Sequence, residues 1–493
     1  MLHTGKSWSQ SFDCLFTHMN KLYRKHHRVN GCIKLLSVLL LSLLSSLVLA
    51  QSDDGPWRAD QALDTPDWFS ISGEQRTRYS HLSNQFRRVL DNNDQAISLR
   101  TLLRMDVRLD QGVKLVTELQ DSRAYLTDQN SAASTIVVNA AELLQAHMAL
   151  GMQDVFRDGD RLDLNMGRFT MDLGGRRLVA RNRFRNTIQN YTGLYADWRS
   201  GEQSRLRTFF TLPVSRLPFD RDGILNNKVK FDEEDSDLLF WGAFFERQQA
   251  LFGATLEVYF FGLNESDDPG DQETRNRQLS TPGFRLLQTP RTGRWDYEFE
   301  NVLQLGERRA SILPRDTEDL DVFAHFHHAA IGYSFKSDWN WRLTAELDYA
   351  SGEESTSDDD ANRFDSLFGP RRTEFGPTGI YGILGRENII SSGLRLRFKP
   401  DSRLDGYISW RANWLDEKTD FFARSGVRDP LGQSGSFAGH QIEFRTRYWV
   451  IPDQIRYEVG AAVFLERRFL RTAPNVNENG NPLFVYTDIS FFF

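Results

Sequence analysis

Cysteine is almost absent: of 493 residues only Cys14 and Cys32 carry a thiol, and both lie near the start. Disulfide stapling, thiolate catalysis and Cys-ligated metal are therefore excluded from the rest of the chain. Long apolar runs are equally scarce. The clearest, Leu35 to Leu49, falls short of the ~20 residues that a helical span requires, so a bundle of membrane helices is excluded. There is no surplus of positive charge either: 60 Lys+Arg stand against 67 Asp+Glu, a net charge of −7. That balance gives no footprint for nucleic acid. Aromatics are plentiful, with 36 Phe, 14 Tyr and 11 Trp, and this excludes a disordered chain.

The first segment reads as an address. Lys21, Arg24, Lys25, Arg28 and Lys34 precede the Leu/Ser run, which ends in Val48-Leu49-Ala50. A basic region, an apolar stretch and a small residue at the end form a secretory signal peptide, with cleavage expected near Ala50 and Met19 as a second candidate start. The expected organisation is a signal peptide over 1–50, a short periplasmic segment over 51–67 and one β-domain over 68–493. Removing the signal leaves a net charge of −12 and no cysteine.

From Trp68 onward the dominant period is two. Ile97, Leu99, Thr101, Leu103, Met105, Val107 and Leu109 alternate with Ser98, Arg100, Leu102, Arg104, Asp106, Arg108 and Asp110. Alternation of this length predicts a strand longer than those of ordinary sandwiches. The pattern returns at Trp341 to Tyr349, His440 to Val450 and Ile455 to Glu466. Nearly every such segment has an apolar face, and no helical stretch is available to cover it. Lipid is the simplest cover.

About eighteen segments of this kind are present. The gaps between them alternate, nine long and eight short, from 80–96 (long) and Asp110-Gln111-Gly112 (short) through to 468–483 (long). Short turns on one rim and long loops on the other describe a bacterial outer-membrane barrel with both termini in the periplasm. The last segment alternates Val485, Thr487, Ile489, Phe491 and Phe493 and ends on the aromatic. A terminal strand of this kind resembles the mark read by the barrel-insertion machinery. The fold expected is thus all-β: a transmembrane antiparallel barrel of about eighteen strands, in contact with outer-membrane lipid and lipopolysaccharide.

If the apolar register meets lipid, the other register faces the lumen. Basic candidates there include Arg76, Arg78, Arg100, Arg104, Arg108, Lys114, Arg411, Arg445 and Arg447; acidic ones include Glu74, Asp106, Glu118, Glu298, Glu300, Glu346 and Asp348. Arginine dominates the basic set, and its planar fork suits carboxylate. One cluster stands apart. Arg176, Arg177, Arg181, Arg183 and Arg185 contain no acid among them and follow Gly174-Gly175. A hinged basic loop folded into a barrel would set a positive ring at the constriction and select anions. The acidic runs Asp232-Glu233-Glu234-Asp235, Asp267-Asp268 and Asp358-Asp359-Asp360 read as solvated outer faces.

Several motifs resemble the alginate export family. Tyr349-Ala350-Ser351-Gly352 leads into an acidic loop and then Phe364-Asp365-Ser366-Leu367-Phe368, with Tyr381-Gly382-Ile383 and Glu387-Asn388-Ile389 following in order. Gly167-Arg168, Gly174-Gly175-Arg176-Arg177-Leu178-Val179, Tyr191-Thr192-Gly193, Trp414-Leu415, Asp420-Phe421-Phe422 and Gln441-Ile442-Glu443 extend the resemblance over about 68–493. It implies a monomeric eighteen-strand barrel that conducts a polyanionic polysaccharide through an Arg-lined lumen. Glu353-Glu354-Ser355-Thr356-Ser357 stands where the family carries a glycine-rich aspartate loop.

The function expected is passive diffusion of anionic saccharides, alginate-like polyuronates or oligosaccharides, with no cofactor. The expected pore lining is Arg76, Arg100, Arg104, Arg108, Arg168, Arg176, Arg177, Arg181, Arg183, Arg185, Arg411, Arg445 and Arg447. A general porin for other solutes and an adhesin acting through its long loops are the alternatives. A barrel lipase would need a serine and a histidine within reach of each other, yet Ser391, Ser409 and His440 suggest no such pair. His325 and His327 share a register but have no third ligand nearby in sequence, so they read as interfacial residues rather than a metal site.

Overall fold

In the computed structural model the described residues are 56–493, apart from 89, 268–273, 314, 356–357 and 478–479. The expected signal peptide lies outside them. Eighteen antiparallel strands close on themselves. They are β1 Phe69–Ser83, β2 Asp94–Asp110, β3 Val113–Tyr125, β4 Asn139–Gln153, β5 Asp160–Phe169, β6 Tyr191–Ser200, β7 Ser204–Ser215, β8 Leu238–Leu251 and β9 Ala254–Glu265. The second half comprises β10 Gln278–Gln288, β11 Trp295–Arg309, β12 Asp319–Ser334, β13 Arg342–Ala350, β14 Ile389–Phe398, β15 Leu404–Trp414, β16 Phe437–Ile451, β17 Ile455–Glu466 and β18 Leu483–Phe492. Each strand pairs with its neighbours in sequence, and β1 pairs with both β2 and β18, so no edge is left open. Phe493 seals the seam: its amide donates to the Gly73 carbonyl at 3.1 Å and its carbonyl accepts from the Gly73 amide at 2.8 Å.

The expected eighteen strands and the nine long and eight short connections are all present. The strands run a little further than the periodicity suggested. β1 continues to Ser83 and β2 begins at Asp94, so the first long gap is narrower than 80–96. One of the two-residue connections, Phe252-Gly253 between β8 and β9, has positive φ at both residues (53° and 76°). That geometry matches the right-handed twist of the flanking strands and favours glycine at its second position.

No helix among the described residues is long and apolar enough to cross a membrane. The strands make the crossing, since ~9–11 tilted residues suffice and β13 has 9 while β2 has 17. Leu194, Phe210, Val258, Phe323, Ile331, Leu347 and Ile408 all point outward and are exposed. Every Å² of such surface left in water would cost roughly 25 cal/mol, so hydrocarbon is the stable surrounding. Aromatic groups collect at both rims. Trp339 and Trp341 stack near the short turns with Phe398 edge-on to both, at 5.4–5.7 Å, and Trp410 stacks on His440 near the long loops with Phe437 edge-on to the imidazole, at 5.2–5.6 Å. Placing a charge mid-strand on this face, as in Leu347→Arg, should cost about 2–4 kcal/mol at the bilayer midplane. Urea unfolding from liposomes would show the loss, and an unchanged midpoint would mean that Leu347 does not face lipid.

The interior holds a feature beyond the expected polar lumen. Toward the long-loop rim, Phe86, Phe169, Phe209, Phe240, Phe244, Phe261, Phe364, Phe375, Tyr381, Phe422, Phe464 and Phe469 form one buried cluster. It joins inward-facing strand residues to the long loops. The segments 170–190 (between β5 and β6) and 361–388 (between β13 and β14) run inside the barrel and meet there, with a short parallel bridge between Val179 and Phe368. Their backbones touch so closely that a Cβ on Gly369 would lie 1.6 Å from the Arg177 carbonyl oxygen.

Candidate functional site

Below these inward segments lies a cavity of about 980 Å³ that reaches the short-turn rim at Arg58, Trp449, Asp453 and Phe493. Its walls come from β1–β5, and the segment containing Thr170, Asp172, Arg181 and Arg183 bounds it on the loop side. Six basic side chains face it: Arg58, Arg100, Arg104, Lys114, Arg181 and Arg183. Four carboxylates, Glu74, Glu118, Asp172 and Asp453, line it as well. Arg100 is tied to Glu74 at 2.8 Å and Arg181 to Glu118 at 2.5 Å. Arg104 and Lys114 share Asp106 at 2.9 and 3.2 Å, and both remain about one-third exposed. Arg183 is exposed and forms no ion pair among the described residues.

The structure thus brings Arg100, Arg104, Arg181 and Arg183 of the expected lining together on one cavity. The others stand elsewhere. Arg76 is buried beneath the inward loop and donates to the backbone carbonyls of Arg183, Phe184 and Arg185 at 2.9–3.3 Å. Arg108 is exposed at the short-turn rim beside the Asp67 carbonyl. Arg168 bridges Glu142 and Glu234, each at 2.7 Å. Arg176 is exposed near Asp172. Arg411 is fully enclosed, held by Glu346 at 2.7 Å and by Asp348. Arg445 and Arg447 both pair with Asp405, at 3.4 and 2.9 Å. Arg185 has no carboxylate partner among the described residues; its Nε and Nη2 donate to the Asn182 side-chain oxygen, and Arg216, Arg371 and Arg424 add repulsion.

Arg177 has the most consequential position. From the β5–β6 segment it reaches across the interior to Glu298 (2.6 Å) and Glu300 (2.5 Å) on β11, and to Glu374 (2.9 Å) of the other inward segment. Glu374 also pairs with Arg386, whose Nη1 donates to the Pro370 carbonyl at 2.7 Å. All five groups except Glu298 are almost fully buried. Burying charge is costly unless pairing and hydrogen bonds are nearly complete, and here they join both inward segments to the wall. Arg372 adds a second tie, to Glu443 on β16 at 2.6 Å and to the Tyr407 hydroxyl at 2.8 Å.

Sequence reasoning missed Glu374, Arg372 and Arg386. A local signal was available: they flank or sit in Gly376-Pro377-Thr378-Gly379-Ile380-Tyr381-Gly382-Ile383-Leu384-Gly385-Arg386, where glycine recurs every third residue. Such a chain can pack its backbone closely against neighbours, and it is buried here.

The run Asp358-Asp359-Asp360 is exposed as expected, whereas parts of the other two acidic runs are less solvated. Glu234 accepts from Arg168 and Thr192, Asp267 pairs with Arg309, and Asp232 is buried, accepting from the Asn139 amide at 2.6 Å and the Leu217 amide at 2.9 Å. Burial pushes the Asp232 carboxyl up to about 7, and Glu142 nearby adds to the rise. A raised carboxyl favours the protonated, docked form, so its contribution is complete below about pH 4 and is lost as pH rises through about 7. Hydrogen exchange in residues 216–237 should accelerate between about pH 6 and 8 beyond the intrinsic rate, and Asp232→Asn should flatten that excess. The same excess in the variant would contradict the assignment.

Ser391 is buried, bonded to Asn413 and Arg411, while His440 stacks on Trp410 on the outer face. His325 and His327 also lie outside, packed against Tyr349 at 4.8 and 5.8 Å.

The model of the alginate export family matches residues 67–483. This chain belongs to the alginate export family. Among solved structures, the barrel resembles Pseudomonas aeruginosa OccD3 (OpdP), with TM-score 0.53, covering 87% of this chain and 91% of that one at 12% identity. The outer membrane protein OpdK of the same organism gives 0.53, with 86% and 98% covered at 12% identity. OpdQ gives 0.52, with 86% and 97% covered at 11% identity. At these identities the likeness is one of fold. No curated protein matches the sequence. The alginate export barrel described here is an outer-membrane channel in contact with membrane lipid, with its short turns on the periplasmic rim.

Proposed function

We propose that this channel passes anionic saccharides, uronate-bearing chains or oligosaccharides, by passive diffusion without chemistry on the solute. The observation that carries this reading is the periplasmic cavity, in which Arg58, Arg104, Lys114 and Arg183 stand at least partly exposed beside Arg100 and Arg181. A conducting site must bind well enough to load and weakly enough to release. Guanidinium groups already shared with acids meet that need, because an incoming carboxylate exchanges one partner for another instead of filling a deep electrostatic well. The low-dielectric wall keeps their field from being screened. Arg100, Arg104, Arg181 and Arg183 are the contact residues in this reading, and the enclosed Arg177 and Arg411 hold the inward segments and the wall in place. The barrel acts as a monomer, and the strand ending at Phe493 presents it to the insertion machinery.

The test is electrical. In planar bilayers under a KCl gradient the reversal potential should report preference for chloride, and an oligouronate should block the current at lower concentration from the short-turn side than from the loop side. Cation preference, or block by neutral and acidic oligosaccharides alike, would remove the proposal.

A further inference from the structure

A second, much smaller cavity of about 20 Å³ lies where the two inward segments meet the β1–β2 wall. It has room for one particle of roughly the size of a water molecule. Arg76, Arg78 and Arg185 border it, with Ser80, Ser98 and Thr378. No carboxylate lines it. Asp488, the acid bound to Arg78, is engaged by that guanidinium at 2.6 and 2.9 Å. Two polar atoms at the cavity are buried without a hydrogen-bond partner, Arg76 Nε and Thr378 Oγ1, on residues only 3% and 4% exposed. The other nitrogens of Arg76 are committed to backbone carbonyls and to Asn186 Oδ1.

The lining is therefore rich in donors, and its charge is unbalanced. Burial presses the Arg185 guanidinium toward its neutral form, and Arg216, Arg371 and Arg424 on its other sides press the same way. Arg185 keeps a neutral acceptor, the Asn182 side-chain oxygen, and Arg76 is held by neutral acceptors too, so the positive charge at this cavity has no counterion among the described residues, a costly arrangement away from bulk water. A water molecule would satisfy the free donors but leave the charge; a carboxylate or phosphate is too large for the space.

We propose that one halide-sized monovalent anion, chloride under ordinary conditions, binds between Arg76, Arg185 and Thr378 and fixes both inward segments to the β1–β2 wall. The site is structural, distinct from the large cavity, and independent of which solute the channel carries. The experiment is crystallographic: the full chain is crystallised in bromide and an anomalous difference map is collected at the bromine edge. A single strong peak in this cavity, lost in Arg185→Gln, is the expected result. No peak with segments 170–190 and 361–388 in place would overturn the proposal. So would peaks of equal height over surface arginines, which would mean an adventitious ion only. A second readout does not depend on that variant folding. Thermal unfolding in detergent should have a higher midpoint in sodium chloride than in sodium gluconate at equal ionic strength. Thr378→Val, which removes one donor at nearly constant volume, should need about tenfold more chloride for the same shift. Equal midpoints in the two salts for the unaltered protein would overturn the site.

Discussion

Glu374→Gln should release segment 361–388 from the barrel interior and raise single-channel conductance or open probability. The carboxylate is shared between Arg177 and Arg386, and losing one partner of a buried pair costs about 3–5 kcal/mol because the other charge stays buried. At 1.4 kcal/mol per tenfold, the docked-to-undocked ratio should fall by roughly a factor of 100 or more. Arg177 keeps Glu298 and Glu300, so segment 170–190 should remain seated while 361–388 becomes open to protease from the loop side. The compensating double change Glu374→Gln with Arg386→Met removes both charges and should recover part of the closure. Unchanged conductance together with unchanged proteolysis in Glu374→Gln would show that this carboxylate does not lock the segment.

The second large effect concerns selectivity. Arg104 and Arg183 face the periplasmic cavity, and Arg183 has no carboxylate partner among the described residues. Neutralising both, as Arg104→Gln with Arg183→Gln, should move the chloride-to-potassium permeability ratio toward unity, a change of roughly a few-fold. Arg445→Gln with Arg447→Gln is the informative control. These two share Asp405 near the short-turn rim and do not border the cavity, so selectivity should stay nearly constant. If the control pair shifted the ratio as much as the cavity pair, the field would be set by total charge rather than by position. Reversal potentials of the two double variants decide between these outcomes.

Much of this architecture is written in a period of two. The run from Ile97 to Asp110 is strand β2, and its arginines point inward because only the alternate register meets lipid. The rhythm of long and short gaps followed from counting such runs. What the alternation hides is the interior near the loop rim. There both registers are apolar: Phe209, Phe240 and Phe244 are buried inside, whereas their neighbours Phe210, Trp241 and Phe245 lie outside. Doubly apolar strands with this sequence signature announce a filled lumen rather than an open one, and the signal was present in β7 and β8.

The arginine loop illustrates the opposite difficulty. Gly174-Gly175 and the lack of acids between Arg176 and Arg185 allow it to fold into the barrel, and it does so. The partners that neutralise Arg177, namely Glu298, Glu300 and Glu374, are more than a hundred residues away in sequence. Only barrel closure brings them within bonding distance, so no local pattern could reveal whether the arginine would line water or serve as a bolt. Arg183, six residues further on, carries the same side chain and ends up on the cavity.

In each strand one register faces hydrocarbon and the other faces the barrel interior. Residues 51–493 contain no cysteine, which offers a direct probe. Single cysteines placed in turn at positions 342 to 348 of β13, in liposomes, would be labelled with a lipid-soluble and with a water-soluble reagent. Strict alternation is the expected result: 343, 345 and 347 react from the bilayer, whereas 342, 344, 346 and 348 are protected from it. Uniform labelling along the strand, or water-soluble reagent reaching 343, 345 and 347, would contradict this assignment.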